Sequence, residues 1–584
     1  MTQDLRPFAA NYLTNPPQSV LVDLARRHTP SIFRSDVGNL NKISRNKARQ
    51  AKYTYIIGDE SQAGDFSHQL IDRARAEEII ARQTAHIEAA GELIAIEGYL
   101  GVGPRAVPVQ WLYTLNGANI AGMQQVLAFP PEDVLEPGAA FSAEFQVIYT
   151  PSLFLEDMPG RQAIIVDLEN FRTHVIGPDY FGESKKAALR MLNEKVYQEG
   201  GLVLHAGAKL VEHAGGRLTM TVMGLSGTGK TTTTFSKQGE VTRPVQDDMV
   251  ALWPGGELSI TENGCFAKTF GLTEETEPTI YRGTLSEEAW VENVYQNADG
   301  AFDFFKSTLT PDEVATMEAV LVDTGAPAAN VRRYIAGDVS EAELRDDNGV
   351  LQDGWEFVEW TANGRSIIPM SAIEDAADLH AIPDVHCMGI LNRDEGTDAA
   401  TPALVRFASP EQAAAYFMLG ETSKTSAAGK ERGKTRSPFT QPFFPRSHGL
   451  QARRFGELAA TMPEVVLWMM NTGYVGGDAK SVKEGVGHKV KIRHSSACLE
   501  ALLTNQVVWK TDPDFGYEIV DTDAPENAAL LARVPADLLE PRKMYARTGR
   551  ADEHQAWVHR MKGERRTFLE NYGVDSAIVQ AVTG

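Results

Sequence analysis

Lys230 and Thr231 lie within Gly224-Leu-Ser-Gly-Thr-Gly-Lys-Thr-Thr232, a spacing that can wrap a polyphosphate. The glycines let successive backbone N–H groups turn toward phosphate oxygens. Lys230 neutralises the β- and γ-phosphates, and Thr231 can hold a nucleotide-bound Mg²⁺. Further along, Asp247-Asp248 follows Val241-Thr-Arg-Pro-Val245, where a neighbouring strand can deliver a carboxylate to the phosphate-bound metal. A paired aspartate at a strand end is a turn signal about as often as a metal ligand, and the phosphate loop shifts the reading toward the ligand. His205, after the apolar Gly201-Leu-Val-Leu204, and the adjacent Lys185 and Lys186 are weaker signals. Taken singly, such a histidine is usually structural and such lysines usually face solvent.

The elements needed to position these residues are legible around them. Arg217-Leu-Thr-Met-Thr-Val-Met223 alternates polar and apolar side chains as a strand does, and Lys230 to Lys237 lacks Gly and Pro and opens a helix. Upstream, Ser67 to Ala90 predicts a helix with Ile79, Ile80 and Ile87 near helical spacing. Leu93–Ile96, Val107–Trp111, Phe145–Tyr149 and Ala163–Asp167 predict strands, with a Pro-rich connector near Phe129–Glu132, and Lys185 to Gln198 predicts a helix. Beyond the loop, strands are expected at Val250–Trp253 and Ala319–Val322, and helices at Leu450–Thr461 and Ser496–Thr504. Ala328 to Gly364 reads in part as an insertion or surface excursion. Gly420 to Pro438 has the composition of a mobile loop or a plain surface linker. No internal repeat is found. The expected fold class is α/β in the mixed α+β sense. An N-terminal α/β substrate-side domain would span 1–212, and a C-terminal P-loop nucleotide-binding domain would span 213–584.

Composition narrows the function classes. The 584 residues, 43% hydrophobic and 23% charged, describe an ordinary globular chain rather than a disordered or fibrous one. A formal net charge of -22 argues against broad binding to nucleic acid or anionic membranes, so anionic substrates must meet local cationic clusters. Cys265, Cys387 and Cys498 are far apart without CxxC spacing, which suggests neither a disulfide framework nor a thiolate zinc site. Neither signal peptide nor membrane helix is read, and a reduced cytoplasm is the expected location.

An ordered series of motifs then resembles the ATP-dependent phosphoenolpyruvate carboxykinases. It runs through Tyr180-Phe-Gly-Glu-Ser-Lys-Lys186, His205, the phosphate loop, Asp247-Asp248 and Gly264-Cys-Phe-Ala-Lys-Thr269. It continues through Glu277-Pro278, Asn363-Gly-Arg-Ser366, Lys430-Glu-Arg-Gly433 and Asn471-Thr-Gly-Tyr474. The resemblance is clear over roughly Tyr180 to Thr504 and fainter back toward Arg45. It implies a two-lobed carboxykinase fold and a gluconeogenic reaction. Oxaloacetate loses CO₂, and the resulting enolate takes the γ-phosphoryl group of ATP to give phosphoenolpyruvate and ADP.

The same resemblance assigns roles. Lys186, as a neutral amine, with His205 and Asp248 would hold Mn²⁺, while Mg²⁺ rides on ATP near Thr231. Lys185 would help lower the Lys186 pKa, and Lys230, Lys268, Arg365 and Asp247 would act in catalysis. Arg45, Tyr180, Lys186 and Arg365 would contact oxaloacetate or its CO₂. Gly224, Leu225, Ser226, Gly227, Thr228, Gly229, Lys230, Thr231, Thr232, Glu277, Lys489, Val490 and Ser495 would contact the nucleotide, and about 420–438 would form an active-site lid. No nucleic-acid or membrane partner is implied, and the state would be a monomer or small homo-oligomer.

Two departures from the family pattern leave alternatives open. The substrate arginine of a Gly-Arg-Ser-Pro-Lys motif meets Ser44-Arg-Asn-Lys47, so Arg49 rivals Arg45. The adenine-side arginine falls on Lys489, after an apparent insertion at Val482–Gly487, and lysine lacks a planar head to stack on a base. The competing readings are a carboxykinase-like kinase acting on a different small acid or a protein hydroxyl, and a catalytically silent nucleotide-binding regulator.

Overall fold

The alternating residues before the phosphate loop form the strand Gly216–Gly224, and Lys230–Phe235 forms the helix after it. The computed structural model describes residues 7–47, 50–213, 216–225, 227–235, 241–346, 349–423, 434–441 and 443–584. The chain divides into two units, Met1–Lys195 with Ile260–Glu374, and Val196–Ser259 with Asp375–Gly584.

The first unit contains a mixed eight-stranded sheet in the order Asn11–Thr14, Glu92–Leu100, Val107–Thr114, Phe145–Thr150, Arg172–Ile176, Ala163–Asp167, Thr54–Ile57, Gln69–Ile71. The helix expected from Ser67 begins instead at Arg73, because Gln69–Ile71 pairs in parallel with Thr54–Ile57 and the Asp72 side chain accepts the Arg75 N–H as an N-cap. Gly91, at φ +72°, ends that helix in the left-handed conformation its missing Cβ allows. Ala76, Ile79, Gln83 and Ile87 are its buried stripe.

A second, five-stranded sheet of this unit runs Gly264–Lys268, Arg365–Pro369, Trp290–Glu292, Leu40–Lys42, Ile32–Arg34. Its pairing brings residues 260–374 back to the N-terminal portion of the chain. The partition therefore differs from the single boundary at 212 expected from sequence, since strands distant in the chain share one ladder.

Two local expectations are corrected here. Ala319–Val322 is not a strand but part of the helix Glu318–Asp323. A short apolar run carries too little periodicity to separate the two, and here Leu321 alone of the helix is fully buried. Residues 328–364 are more than a surface excursion. Their Val331, Leu344, Trp355, Phe357, Val358 and Trp360 build one apolar cluster with Val314 and Leu321.

The second unit is organised on an eight-stranded sheet, ordered Val241–Gln246, Ala206–His213, Gly216–Gly224, Val385–Asn392, Val466–Asn471, Val405–Arg406, Glu518–Val520, Trp509–Thr511. The strand before the phosphate loop pairs in parallel with Val385–Asn392, which pairs in parallel with Val466–Asn471. Ligand loops belong at the carboxyl ends of such parallel strands, and the phosphate loop follows the end of Gly216–Gly224. Packing there is tight enough to test. A Cβ on Gly389 would overlap the Trp468 ring, which is fully buried. Gly389→Ala should therefore cost about 3 kcal/mol by overpacking, read as a lower denaturant midpoint at unchanged m-value. Among the described residues no helix is long and apolar enough to cross a membrane.

Candidate active site

In the second unit the phosphate loop is shaped by its own residues. Gly227 and Gly229 sit at φ +84° and +94°, conformations that favour glycine. Thr228 closes the turn, donating both its N–H (3.2 Å) and its hydroxyl (2.8 Å) to the Leu225 carbonyl. A side chain at Gly224 would collide with that hydroxyl. Thr472 braces the loop from the Asn471-Thr-Gly-Tyr474 turn, its hydroxyl donating to the Thr228 carbonyl at 2.8 Å. Ser226 lies outside the described residues. Thr231 and Thr232 occupy the first turn of the helix.

Behind the loop, Asp248 Oδ1 stands 2.9 Å from His205 Nε2 and 3.4 Å from Lys230 Nζ. Asp247 and Asp248 both turn on the Gln246 side chain, whose Oε1 accepts their N–H groups at 2.8 and 3.3 Å. His205 Nδ1 faces the Phe439 carbonyl at 3.0 Å, an oxygen that can only accept, so Nδ1 carries the proton. Burial, then the Lys230 charge, hold His205 below its ordinary pKa against the pull of Asp248, which favours the neutral ring. Its Nε2 lone pair then faces a carboxylate oxygen, an arrangement that a shared cation would satisfy. Imidazole and carboxylate are both donors for a divalent cation. Among the described residues no group of three or more His, Cys, Asp or Glu gathers as a metal cage. Lys186 belongs to the first unit.

At the base-side positions, Tyr474–Val475 pairs antiparallel with His488–Lys489, and the Lys489 ammonium lies 5.7 Å from the Tyr474 ring centroid. Val490 is buried and donates its N–H to the Gly473 carbonyl. Ser495 lies in the first turn of the helix Ile492–Leu503. Glu277, the other nucleotide candidate, belongs to the first unit, preceding the helix Pro278–Thr284.

The composition of 420–438 suggests a loop without anchors, but its flanks are fixed. Glu421–Ser423 and Lys434–Arg436 pair antiparallel. Buried Glu421 accepts from Arg565 (2.7 Å) and Arg436 (2.8 Å), and Lys434 meets Asp394 at 2.9 Å. These are charge anchors rather than apolar ones. Residues 424–433, which hold Lys430-Glu-Arg-Gly433, lie outside the described residues.

In the first unit the helix Phe181–Gln198 begins one residue after Tyr180 and carries Lys185 and Lys186. Lys186 Nζ lies 5.6 Å from the Tyr180 ring centroid. Lys185 forms a buried ion pair with Glu262 at 2.8 Å and lies over the Phe266 ring. Lys268 and Arg365 are cross-strand partners, and the Arg365 guanidinium also covers Phe266. Enclosure of its ammonium, then the Arg365 charge, lower the Lys268 pKa. Arg365 Nε and Nη1 are buried without a hydrogen-bond partner. Unmet buried donors on a guanidinium call for anionic acceptors, and Nε and Nη1, on different edges of the plane, offer a separate hydrogen bond each.

Arg45, the candidate for the substrate carboxylate, is held by backbone oxygens. Its Nη2 donates to the Pro151 and Gly177 carbonyls, both at 2.7 Å, and Nη1 is 3.9 Å from Asp179. Arg49 lies outside the described residues. Two residues that motif reading quoted without a role now stand out. Asn363 donates to the Lys47 carbonyl and reaches the Tyr180 hydroxyl at 3.5 Å, joining three site segments. Lys47 is the second, with its pKa lowered to about 7, chiefly by burial. Both sat inside quoted motifs, so position was the available signal.

The sequence profile of phosphoenolpyruvate carboxykinase matches residues 10–327 and 348–526. The unmatched 328–347 falls in the expected insertion. Phosphoenolpyruvate carboxykinase (ATP) of Thermus thermophilus is 27% identical over 449 residues, 74% of this chain and 69% of its own length. The proteins of that name from Brevibacillus brevis and Allorhizobium ampelinum are each 25% identical, the first over 96% of this chain and 93% of its own, the second over 98% and 95%. With the phosphate loop, the Asp248–His205 pair and the Arg365 sheet in place, and a profile that spans most of its length, this chain belongs to the phosphoenolpyruvate carboxykinase family.

Proposed function

We propose that this protein converts oxaloacetate and ATP to phosphoenolpyruvate, CO₂ and ADP, in the cytoplasm and toward sugar synthesis. The observation that carries the reading is the Asp248 carboxylate shared between His205 and the phosphate-loop Lys230. It couples a cation-binding donor pair to the group that would meet the γ-phosphate. In the second unit, Gly224–Thr232 would surround the phosphates, with Lys489, Val490 and Ser495 at the base. The acceptor residues belong to the first unit.

Among them Arg365 receives substrate oxygens on its unmet nitrogens, and Tyr180 lies beside it. When the C3–C4 bond breaks, its electron pair moves into the enolate, whose oxygen attacks the γ-phosphorus as the bridging oxygen leaves with ADP. Lys186, His205 and Asp248 would hold Mn²⁺ and Thr231 the nucleotide's Mg²⁺, and such cations supply charge stabilisation for the enolate and the transferring phosphoryl group. Lys230 and Lys268 bear on the same developing charge.

A coupled assay for phosphoenolpyruvate, with Mn²⁺ and with ATP, GTP or pyrophosphate as donor, tests this. Formation with ATP is expected. Nucleotide binding without phosphoenolpyruvate from any donor would overturn it. The engagement of Arg45 by two backbone carbonyls favours a second reading, in which a different small acid is the acceptor. A phosphorylated acid found by mass spectrometry, with indifference to oxaloacetate, would establish that one.

A further inference from the structure

The peptide group joining Tyr180 to Phe181 is held on both sides by buried side chains from elsewhere in the first unit. Tyr149 donates its hydroxyl to the Tyr180 carbonyl at 3.0 Å, and the Phe181 N–H donates to Glu292 Oε1 at 3.2 Å. Phe181 opens the helix that carries Lys186, so this N–H is one of the donors that no helical carbonyl can satisfy. Glu292 therefore acts as a cap delivered across the fold rather than from the preceding residue.

Glu292 sits at a junction. Its strand, Trp290–Glu292, places it opposite Arg365 on one side and Lys42 on the other. It is fully buried, its Oε2 makes no hydrogen bond, and among the described residues it forms no ion pair. The nearby cations are engaged elsewhere: Lys42 meets Asp179 at 3.4 Å, and Lys47 donates to the Ser44 carbonyl. Burial pushes its carboxyl up to about 8, so it is held as the neutral acid near neutrality. A half-satisfied buried carboxyl is a costly way to fill a core position that an apolar side chain would fill better. What Glu292 does that an apolar residue cannot is accept the Phe181 N–H.

The consequence falls on the Tyr180 ring. Its hydroxyl is flanked by Arg365 and Asn363, and the Lys186 ammonium lies by its face. We propose that Glu292 and Tyr149 are positioning residues that clamp the 180–181 peptide and so set Tyr180 and Lys186 against Arg365 among the acceptor residues of the first unit. The assignment rests on the function proposed above for what Tyr180 and Lys186 do, but the clamp itself has an independent readout.

The test uses full-length Glu292→Leu, Glu292→Gln and Tyr149→Phe proteins. Three quantities are read: amide hydrogen exchange in peptides covering 180–186, kcat and KM for oxaloacetate, and ATP affinity by calorimetry. Glu292→Leu should speed exchange at Phe181 and lower kcat about 10- to 100-fold, the scale of a small misplacement of reacting groups, with ATP affinity unchanged. Glu292→Gln keeps an accepting oxygen and should restore most of both, and Tyr149→Phe should move both in the direction of Glu292→Leu. If Glu292→Leu does not fold, Tyr149→Phe decides by the same readouts. Unmoved exchange and kcat overturn the clamp, as does a loss of ATP affinity in step with kcat. If the wild-type protein makes no phosphoenolpyruvate but exchange responds as expected, the functional reading fails and the clamp stands.

Discussion

Asp248→Asn is expected to lower phosphoenolpyruvate formation by about a thousandfold at saturating substrates, corresponding to about 4 kcal/mol of lost transition-state stabilisation. The substitution keeps the volume of the side chain and removes its charge. In the native site that carboxylate lies 2.9 Å from His205 Nε2 and 3.4 Å from Lys230 Nζ, so one oxygen serves both the cation donor pair and the phosphate-loop lysine. An amide can offer its NH₂ to the His205 lone pair, which occupies the nitrogen that would bind the cation. The variant should also need more Mn²⁺ for half-maximal rate. Calorimetry should show ATP binding retained, since Lys230 loses its competing anion. Unchanged kcat and an unchanged Mn²⁺ titration would remove Asp248 from the site, and a thermal melt at the wild-type temperature guards against a folding artefact.

Arg365→Lys should lower kcat/KM for oxaloacetate by about 10²- to 10³-fold while leaving ATP affinity intact. The charge survives this change, so the effect isolates geometry. Two of the guanidinium nitrogens, Nε and Nη1, are buried without partners, and the planar group is held against the Phe266 ring. Each of these donors, on different edges of the plane, can meet an anionic oxygen with its own charge-assisted hydrogen bond. An ammonium offers one point charge, with a stronger preference for water. Arg365→Met should be worse still, because charge is lost as well. Wild-type kcat/KM in Arg365→Lys would mean that the unmet donors are not the acid's docking point, and would favour an acceptor bound elsewhere in the first unit.

The phosphate loop could be recognised without a fold because its function is local. Glycines at fixed offsets supply the positive φ of 227 and 229, and the strand before them and helix after them follow from short-range pattern. Lys185 and Lys186 are legible as helical for the same reason, in the helix that Tyr180 to Lys186 begins and that runs over Phe181–Gln198. The failures share a cause. Ala319–Val322 carried β-branched residues, but no strand pairs with it and its neighbours made it helical. Glu421, Lys434 and Arg436 looked like loop composition because their partners, Arg565 and Asp394, are distant in the chain. Nothing in the spacing of Glu292, Thr472 or Asn363 announced that they hold the 180–181 peptide, the phosphate loop and the Lys47 segment.

The sequence alone determined which chemistry is at hand, a polyphosphate cradle with metal-binding and anion-binding side chains in family order, because backbone conformation at glycine and the donor types of Lys, His and Asp are properties of the residues themselves. Tertiary structure decided which of those groups are available. It engaged Arg45 with two carbonyls, paired Lys185 with Glu262, and left Arg365 with unmet donors. Availability depends on burial and on partners that strand pairing brings from far along the chain, and neither is written in local spacing.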